Sequence, residues 1–579
     1  MERAYDLVIR GGLLVDGSGG PAREADVAVR NGRIAAVGRI AGFGVEEIDA
    51  RGLVVTPGFV DIHTHYDGQA TWDARMQPSS WHGVTTVVTG NCGVGFAPCA
   101  PKDRDRLVRL MEGVEDIPFP VLTEGLPWGW ESFPDYLGAL EARAFDVDIG
   151  TQLPHAALRV FVMGERGVDR EPATEADIAA MAAIARGAVE AGALGFSTSR
   201  TLNHRASDGR PTPTLTAGED ELTGVALGLK AAGRGVLQAV SDFADPVAEF
   251  AMLRRIVEAS GRPLSFTLAQ SGRAPDGWKT LLAGVEAAVA DGLPIKAQVC
   301  GRAVGVLFGL ELTLNPFSGR PTYRDMAGLS LAEKAARLGD PAVRARLLGE
   351  TAEPGTPLAG AMLNAWGEMY LMGEQPDYEP TPDLTVAALA AARGLAPEVV
   401  ALDHMLERGG RGMIYLPFLN YADGSLDPSF AMLSHAHTVP GLSDGGAHVG
   451  MISDGSFPTS MLTHWTRDRT RGPRLSLEAV VRMQAADTAA AVGLLDRGRV
   501  AVGLRADLNL IDYDNLTLHA PQVAYDLPAG GRRLIQKASG YAATIVAGQV
   551  TYRDGEPTGA LPGRLVRGAR AAPKTLAAE

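Results

Sequence analysis

The sequence predicts an α/β fold in which a TIM-like (β/α)₈ barrel carries a small β-sandwich domain formed by both chain termini. Through the middle of the 579-residue chain, apolar strand-like runs alternate with helical stretches. The strand-like runs span 84–90, 149–153, 193–197, 236–240, 264–268, 295–299 and 439–443. Alternation over more than about 250 residues favours a closed barrel. Polar motifs follow several of these runs, at the strand ends where such barrels carry their functional residues.

Both ends of the chain have the pattern of short β-strands. Apolar runs in residues 1–56 are separated by glycine-rich turns, and Asn31-Gly32 between two of them is a strong hairpin signal. Residues 497–579 contain similar runs. Because neither end can bury a core alone, we expect 1–56 and 497–579 to form one composite β-domain beside a barrel of residues 57–496.

Helices are expected between the strands, and residues 174–190 show a clear helical pattern. Thr174 can cap this helix, with Asp177 at the third helical position as in a capping box. Residues of about 316–400 break the strand–helix alternation with charged helices and turns rich in proline and glycine. We expect this stretch to be a lid-like insertion over the barrel mouth.

Composition argues against several classes of protein. A net charge of −14 is unlike a nucleic-acid-binding surface, which needs clustered lysine and arginine. No apolar run approaches the roughly 18 to 20 residues of a membrane span, and the first residues carry no secretory signal pattern. Three cysteines do not make a disulfide framework. We therefore expect a cytoplasmic protein with a small-molecule partner, and leave open whether it forms a homo-oligomer.

Two histidines end the first predicted barrel strand. His63 and His65 are two residues apart, and such residues point to the same face of a strand. Both imidazoles can therefore hold one ion. The alternative is that they are two ordinary polar residues after a core strand, but two further motifs supply matching ligands.

Each of these motifs adds one ligand type. Cys92 lies among Gly90, Gly93 and Gly95, which indicates a loop that closely approaches a neighbour, although a lone cysteine can also be a small core residue. Asp444 lies between a serine and two glycines, where a carboxylate can bind metal and accept a proton from water. Two imidazoles, a thiolate and a carboxylate suit Zn²⁺, and another divalent ion is also possible.

Taken together, the motifs resemble the amidohydrolase superfamily. The resemblance rests on Gly58–His65, Gly83–Gly93 and Gly503–Leu508, and it extends over nearly the whole chain. The Gly-Asn-Cys-Gly element resembles the D-aminoacylase (N-acyl-D-amino-acid deacylase) branch. This implies a TIM-like barrel with metal at the strand C-termini and hydrolysis of an N-acyl group.

The resemblance also implies a role for each motif residue. His63 and His65 become ligands from the first strand, and Cys92 becomes a shared thiolate ligand. Asp444 becomes the ligand from the last strand and the general base.

The chain departs from this family on the fifth and sixth predicted strands. The family offers one histidine on each, whereas 235–242 and 263–270 contain none. Gln238 and Gln270 stand near these positions and could bind substrate there. We therefore expect one bound ion, held by the ligands of the first and last strands.

Further polar residues after predicted strands are candidate substrate contacts. They are His155, Arg159, Arg200, His204, Arg302 and His448. His155 and Arg159 resemble a His-x-x-x-Arg element of the family. His155 could orient a substrate carbonyl or bond to backbone, and Arg159 could pair with a substrate carboxylate or form an internal ion pair. Basic residues beyond strand C-termini suit an anionic substrate.

These observations predict a metal-dependent amidohydrolase that cleaves the C–N amide bond of an N-acyl (D-)amino acid or a related amide. The ion would activate water, and Asp444 would pass a proton to the departing nitrogen. Two alternatives stay open. An enzyme of the same superfamily could act on a cyclic imide, a lactone or a C–C bond, and a degenerate barrel could bind a small ligand without catalysis.

Overall fold

The computed structural model describes residues 3–353, 360 and 362–574. Eight parallel strands follow one another around a barrel in chain order, and we number them one to eight. They span Phe59–Asp61, Val84–Thr89, Asp148–Pro154, Gly195–Arg200, Val236–Ser241, Leu264–Thr267, Ile295–Cys300 and Thr438–Gly441. This order confirms the predicted (β/α)₈ fold class.

The eighth strand meets the first just beyond their C-terminal ends. The His65 amide donates to the Gly445 carbonyl at 2.8 Å, and the Asp444 amide donates to the His63 carbonyl at 3.1 Å. Thr64 and Gly445 form a parallel bridge between the same two segments. The barrel is therefore joined through the residues of two of its sequence motifs.

Helices pack around the barrel and bury its apolar outer face. For example, Phe266 of strand six contacts Phe250 of a helix, with 5.8 Å between ring centroids. The helices outside the late insertion span Gln69–Trp72, Arg104–Glu115, Phe119–Gly125, Phe133–Glu141, His155–Met163, Glu165–Val168, Glu175–Ala191, Glu219–Ala231, Pro246–Ser260, Gly277–Ala290, Phe457–Thr463, Leu477–Arg482 and Thr488–Ala491. The capping box of Thr174 and Asp177 is confirmed. Across residues 3–353, 360 and 362–574, no helix combines the length and apolarity needed to cross a membrane.

Strands from both termini build one mostly antiparallel sheet. Its strands span Arg3–Leu14, Arg23–Arg30, Arg33–Gly38, Phe43–Asp49, Val54–Pro57, Leu508–Ile511, Tyr541–Val546, Gln549–Arg553 and Glu556–Pro557. Leu510 pairs with Val55, which places the two chain ends side by side. The hairpin predicted at Asn31-Gly32 is confirmed, since both residues have positive φ angles, of 52° and 70°. Two short hairpin-like pairs follow, formed by Thr517–Leu518 with Ala538–Ser539 and by Gln522–Leu527 with Gly531–Ile535.

The chain between strands seven and eight forms a further layer with its own apolar core. Its strands Val304–Phe308, Tyr370–Met372 and Met413–Leu419 form an antiparallel sheet, so the layer extends beyond the expected bounds of 316–400. Its helices span Pro321–Arg324, Leu331–Gly339, Pro341–Gly349, Val386–Arg393, Pro397–Gly410 and Asp427–Leu433. The Asn420 amide donates to the carbonyl of Gln270, which follows strand six. The layer therefore lies on the C-terminal side of the barrel.

Candidate metal centre

His63 and His65 lie directly after strand one, and both side chains are fully buried. The Nδ1 atom of His63 is 2.9 Å from Oε1 of Gln298 on strand seven, and so donates to it. The lone pair of His63 is therefore on Nε2, where it can accept a hydrogen bond from the Cys92 thiol. That atom lies 3.2 Å from the Cys92 Sγ and 3.4 Å from Oδ1 of Asp444. The ring is therefore held in the tautomer that a metal ligand needs.

The loop after strand two is built to bring Cys92 to the same point. Cys92 itself has a positive φ of 53°, and a Cβ at Gly90 would lie 2.1 Å from the carbonyl oxygen of Gln152. The Asn91 side chain donates to the Thr64 carbonyl at 3.1 Å, which ties this loop to the two histidines. Ligand atoms of His63, His65 and Cys92 all lie within 4.8 Å of one another.

Asp444 completes the cluster from the loop after strand eight. Its Oδ1 lies 3.4 Å from Nε2 of His63 and 3.7 Å from Nε2 of His65. The carboxylate stays 20% exposed, so water can reach it. The four side chains predicted as metal ligands thus converge at the C-terminal ends of strands one, two and eight.

Two residues of the centre were missed by the sequence analysis. Gln298 orients His63, and Glu115, at the end of helix Arg104–Glu115, faces His65. The signal for Glu115 is its place on the apolar face of its helix, four residues after Met111. An acid on such a face needs a polar partner in the interior.

The centre contains several carboxylates, and no lysine or arginine is paired with them in the part of the chain that the structure describes. Asp61, Asp67 and Glu115 are buried and Asp444 is partly buried, and burial raises the pKa of all four, to about 7 for Asp61 and Asp67. Within the described residues, no lysine or arginine forms an ion pair or hydrogen bond with any of them. Burial also lowers the pKa of His63 to about 4, so the imidazole is neutral at neutral pH. A bound divalent cation would stabilise the ionised form of these carboxylates.

Several buried polar atoms here have no hydrogen-bond partner among the residues that the structure describes. They are both ring nitrogens of His65, Oε1 of Glu115, Oδ1 of Asp444, Oδ2 of Asp67 and Nδ1 of His448. Buried polar groups in native proteins are normally satisfied. The donor set, two imidazoles with a carboxylate and a nearby thiol, therefore fits a divalent ion such as Zn²⁺.

His448 and His204 border the centre. The Nε2 atom of His448 lies 3.8 Å from Oδ2 of Asp444. His204 follows strand four and is held by Ser199, with 2.8 Å between Nδ1 and Oγ. Burial, together with the nearby His448 and His63, lowers the pKa of His204 to about 3.

The two glutamines predicted near the missing histidines differ. Gln238 is buried on strand five, and neither polar atom of its amide has a hydrogen-bond partner within the described part of the chain. It lies beside Ser265, which accepts a hydrogen bond from Gln298, so it points into the barrel. Gln270, by contrast, bonds to Asp423 at 2.8 Å and to the Ala422 amide at 3.1 Å. It therefore connects the barrel to the inserted layer.

The other predicted substrate contacts have partners within the protein. Arg159 pairs with Glu221 at 2.8 Å and donates to three backbone carbonyls, and His155 bonds to the same Glu221 at 2.9 Å and to Thr198 at 2.8 Å. The internal ion pair considered for Arg159 is thus the arrangement found.

Arg302 and Arg200 are also engaged elsewhere. Arg302 is buried, pairs with Asp454 at 3.2 Å and stacks 3.6 Å from the centroid of the Tyr378 ring. Arg200 donates to the Ala217 carbonyl. None of these arginines contacts the four converging ligands.

Comparison of the sequence with known proteins gives matches over most of the chain. Residues 46–552 match the profile of the amidohydrolase family. The N-acyl-D-aspartate deacylase of Alcaligenes xylosoxydans xylosoxydans is 31% identical over 576 residues, which cover 97% of this chain and 95% of that protein. The D-aminoacylase of the same organism is 40% identical over 198 residues, or 34% of this chain and 38% of that protein.

Solved structures give the same picture of the fold. A D-aminoacylase with a binuclear metal centre, described with one-metal activation and second-metal attenuation, superposes with a TM-score of 0.64 at 26% identity, covering 97% of this chain and all of that one. The N-acyl-D-glutamate deacylase of Bordetella bronchiseptica, complexed with zinc and a phosphonate inhibitor, gives a TM-score of 0.64 at 22% identity, with 98% and 100% coverage.

Proposed function

The chain belongs to the amidohydrolase family, and we propose that it removes the acyl group from an N-acyl amino acid by metal-dependent hydrolysis. The resemblance drawn from the motifs is confirmed, and the chain is a hydrolase of carbon–nitrogen bonds other than peptide bonds. In the proposed centre, His63, His65 and Asp444 would hold the ion. Zn²⁺ suits this donor set.

One observation carries the proposal. Nε2 of His65 and Oδ1 of Asp444 are buried, lie 3.7 Å apart beside Nε2 of His63, and have no hydrogen-bond partner among the described residues. Buried carboxylates surround them without a compensating lysine or arginine among the described residues. An ion between these side chains would coordinate the unpaired atoms and stabilise the ionised carboxylates together.

The chain's own residues suggest how the amide would be cleaved. When bound, Zn²⁺ supplies a Lewis acid for the carbonyl and lowers the pKa of water towards neutrality. Asp444 would accept the proton of the attacking water and deliver it to the departing nitrogen. Burial raises the pKa of the Asp444 carboxyl, which favours its holding that proton between the two transfers.

The identities of the relatives support an N-acyl D-amino acid as the substrate class. One relative that matches nearly the whole chain is an N-acyl-D-aspartate deacylase. Gln238, His204 and His448 are the proposed substrate contacts, because Gln238 has an unpartnered amide and both histidines border Asp444 or His63. We leave the predicted arginine contacts out of this site, because each already bonds within the protein.

We further propose a single ion per chain. Strands five and six present Gln238 and Thr267 to the barrel interior, and neither side chain has a hydrogen-bond partner among the residues that the structure covers. Neither offers the imidazole that would complete a second site. Cys92, at 3.2 Å from Nε2 of His63, would then stand beside the ion or act as its fourth ligand.

Metal analysis combined with a substrate screen tests the proposal. Purified enzyme should contain close to one zinc per chain and release free amino acid from some N-acyl D-amino acids in a panel that contains acidic and neutral members of both configurations. Two ions per chain would contradict the single-ion proposal. Turnover only of a cyclic imide or a lactone would favour the related-hydrolase alternative, and a metal-free protein that stays inactive in added zinc would overturn the proposal.

A further inference from the structure

We propose that Glu115 is a positioning residue that fixes the orientation of His65 in the metal centre and holds His448 beside it. The inference rests on the proposed metal centre, but not on the identity of the substrate. It concerns a residue supplied by a helix, outside all of the strand-end motifs. The carboxylate of Glu115 is 2% exposed, so its partners must come from the protein or from a bound ion.

The two ring nitrogens of His65 face different neighbours. Its Nε2 atom faces Asp444 at 3.7 Å, and its Nδ1 atom lies 3.4 Å from Oε1 of Glu115, close enough for an ion pair but not aligned as a hydrogen bond. An imidazole that donates from Nδ1 keeps the lone pair of Nε2 free for a metal. Glu115 therefore stands where a carboxylate would select the ligating tautomer of His65.

The arrangement parallels that of the other histidine. Nδ1 of His63 donates to Gln298 at 2.9 Å, while Nε2 faces Cys92 and Asp444. Each histidine thus has one nitrogen towards the proposed ion and the other towards a side-chain oxygen. Metal-bound histidines usually have such a second partner, which orients the ring and raises its basicity. A carboxylate does this more strongly than an amide, because its hydrogen bond is charge-assisted.

The second carboxylate oxygen of Glu115 lies near a different histidine, His448. Oε2 lies 3.6 Å from Nε2 of His448, and the His448 amide donates to the Glu115 carbonyl. The neighbouring Asp116 accepts from the Gly450 amide at 3.0 Å and from the Thr313 hydroxyl. The end of this helix therefore anchors the loop that carries His448, next to Asp444.

The helix can act as a rigid support. Leu107, Val108, Leu110, Met111 and Val114 bury its apolar face, which prevents the carboxylate from moving away. Its opposite face provides a matched control. Asp105 lies on the same helix but is exposed, and no hydrogen bond or ion pair is found for it within the described residues.

Zinc affinity, measured by competition with a chromophoric chelator, tests the inference on the full-length protein. Glu115→Gln keeps the size of the side chain but presents an N–H₂ group to one of the two imidazoles. We expect zinc binding to weaken roughly 10- to 100-fold, as for other partners of metal-bound histidines, whereas Asp105→Asn should bind zinc as wild type does. The visible spectrum of the Co²⁺-substituted Glu115→Gln protein should shift as well, because the His65 ligand changes in basicity.

The possible results distinguish a failure of the proposed role of Glu115 from a failure of the proposed metal centre. Wild-type protein that binds zinc tightly while Glu115→Gln binds it within twofold, with an unchanged Co²⁺ spectrum, overturns the role of Glu115 alone. A fall in the number of ions bound, rather than in affinity, would make Glu115 a ligand and also overturn positioning. Wild-type protein that binds no ion would remove the metal centre and this inference together. Circular dichroism of Glu115→Gln should match wild type, and Glu115→Ala should weaken zinc binding at least as much.

Discussion

Buried carboxylates cluster at both ends of the barrel, but the protein neutralises only one of the two clusters itself. At the N-terminal end, Asp148 begins strand three, where its two oxygens accept from Arg497 at 2.8 Å and from Arg505 at 2.9 Å. At the C-terminal end, the ion-pair partners of Glu115 and Asp444 among the described residues are all histidines. The same chemical group thus appears once with arginine partners and once without them.

This difference separates a structural site from a binding site. Arg497 and Arg505 come from the segment that leads into the terminal β-domain, so their ion pairs fasten that domain to the bottom of the barrel. Residues at the bottom of such barrels generally serve stability, and those at the top serve function. The cluster that has no arginine partners is the one where we expect a bound cation.

Replacing the Asp444 carboxylate, at the C-terminal end of the barrel, should have the largest effect, a loss of activity. Asp444→Asn keeps the size and one oxygen but cannot accept the proton of water, so kcat should fall roughly 10²- to 10⁴-fold. Zinc content should stay near that of wild type, because His63 and His65 are intact. Steady-state kinetics on the best substrate together with metal analysis check this. Undiminished turnover would remove Asp444 from the mechanism.

Breaking the cluster at the bottom should affect stability instead. Arg497→Met leaves Asp148 buried with one partner fewer, which should lower the free energy of unfolding by about 3 to 5 kcal/mol. The folded fraction should retain wild-type kcat. Urea denaturation measures the loss, with the exposed Arg499→Met as control. A variant as stable as wild type would show that the arginine pairs do not fasten the domain.

Removing the metal should make the thermal stability of the protein depend on pH, through the carboxylates at the C-terminal end of the barrel. The pKa values of Asp61 and Asp67 are raised to about 7, so their favourable contribution is complete below the ordinary carboxyl pKa and is lost as pH rises through 7. The histidines have the opposite dependence, because their pKa values are lowered, but it acts mainly below about pH 6.5.

Chelator-treated protein should therefore melt at falling temperatures as the pH rises from about 6.5 to about 8 and should level off above that, and the zinc-loaded protein should change less. Thermal melts of both forms over this range provide the measurement. Equal slopes for the two forms would mean that no ion compensates these carboxylates.

The smallest effect is expected where the family's histidines are absent. Gln238→Ala removes an amide that has no protein partner, so stability should change by less than about 1 kcal/mol. If the amide binds substrate, KM should rise roughly five- to tenfold, which corresponds to about 1 to 1.4 kcal/mol. Zinc affinity should not change. An unaltered KM would place substrate elsewhere in the barrel.

The barrel and four of its central residues could be predicted because their signals are local. Strand–helix alternation repeats over hundreds of residues, and the spacing of His63 and His65 by itself puts both on one face of a strand. Glu115 and Gln298 could not be found in this way. They reach the centre through the packing of a helix and of strand seven, which no short motif records.

The arginines show a second limit. Sequence places Arg159 and Arg302 after strands but does not say which acids will pack against them, and Glu221 and Asp454 turned out to do so. The late insertion is longer than the sequence predicted for a similar reason. Strands Val304–Phe308 and Met413–Leu419 pair across more than a hundred residues, and alternation of apolar runs does not reveal such distant partners.

The backbone contacts between His63, His65 and the segment after strand eight have a consequence for assembly of the molecule. The same few residues close the barrel and carry the proposed metal-ligating atoms. The metal centre can therefore form only when the last strand of the barrel has met the first. An ion held there would cross-link the segments after the first and last strands, which are far apart in the sequence of this domain. Loading with zinc would then report that folding of the barrel is complete.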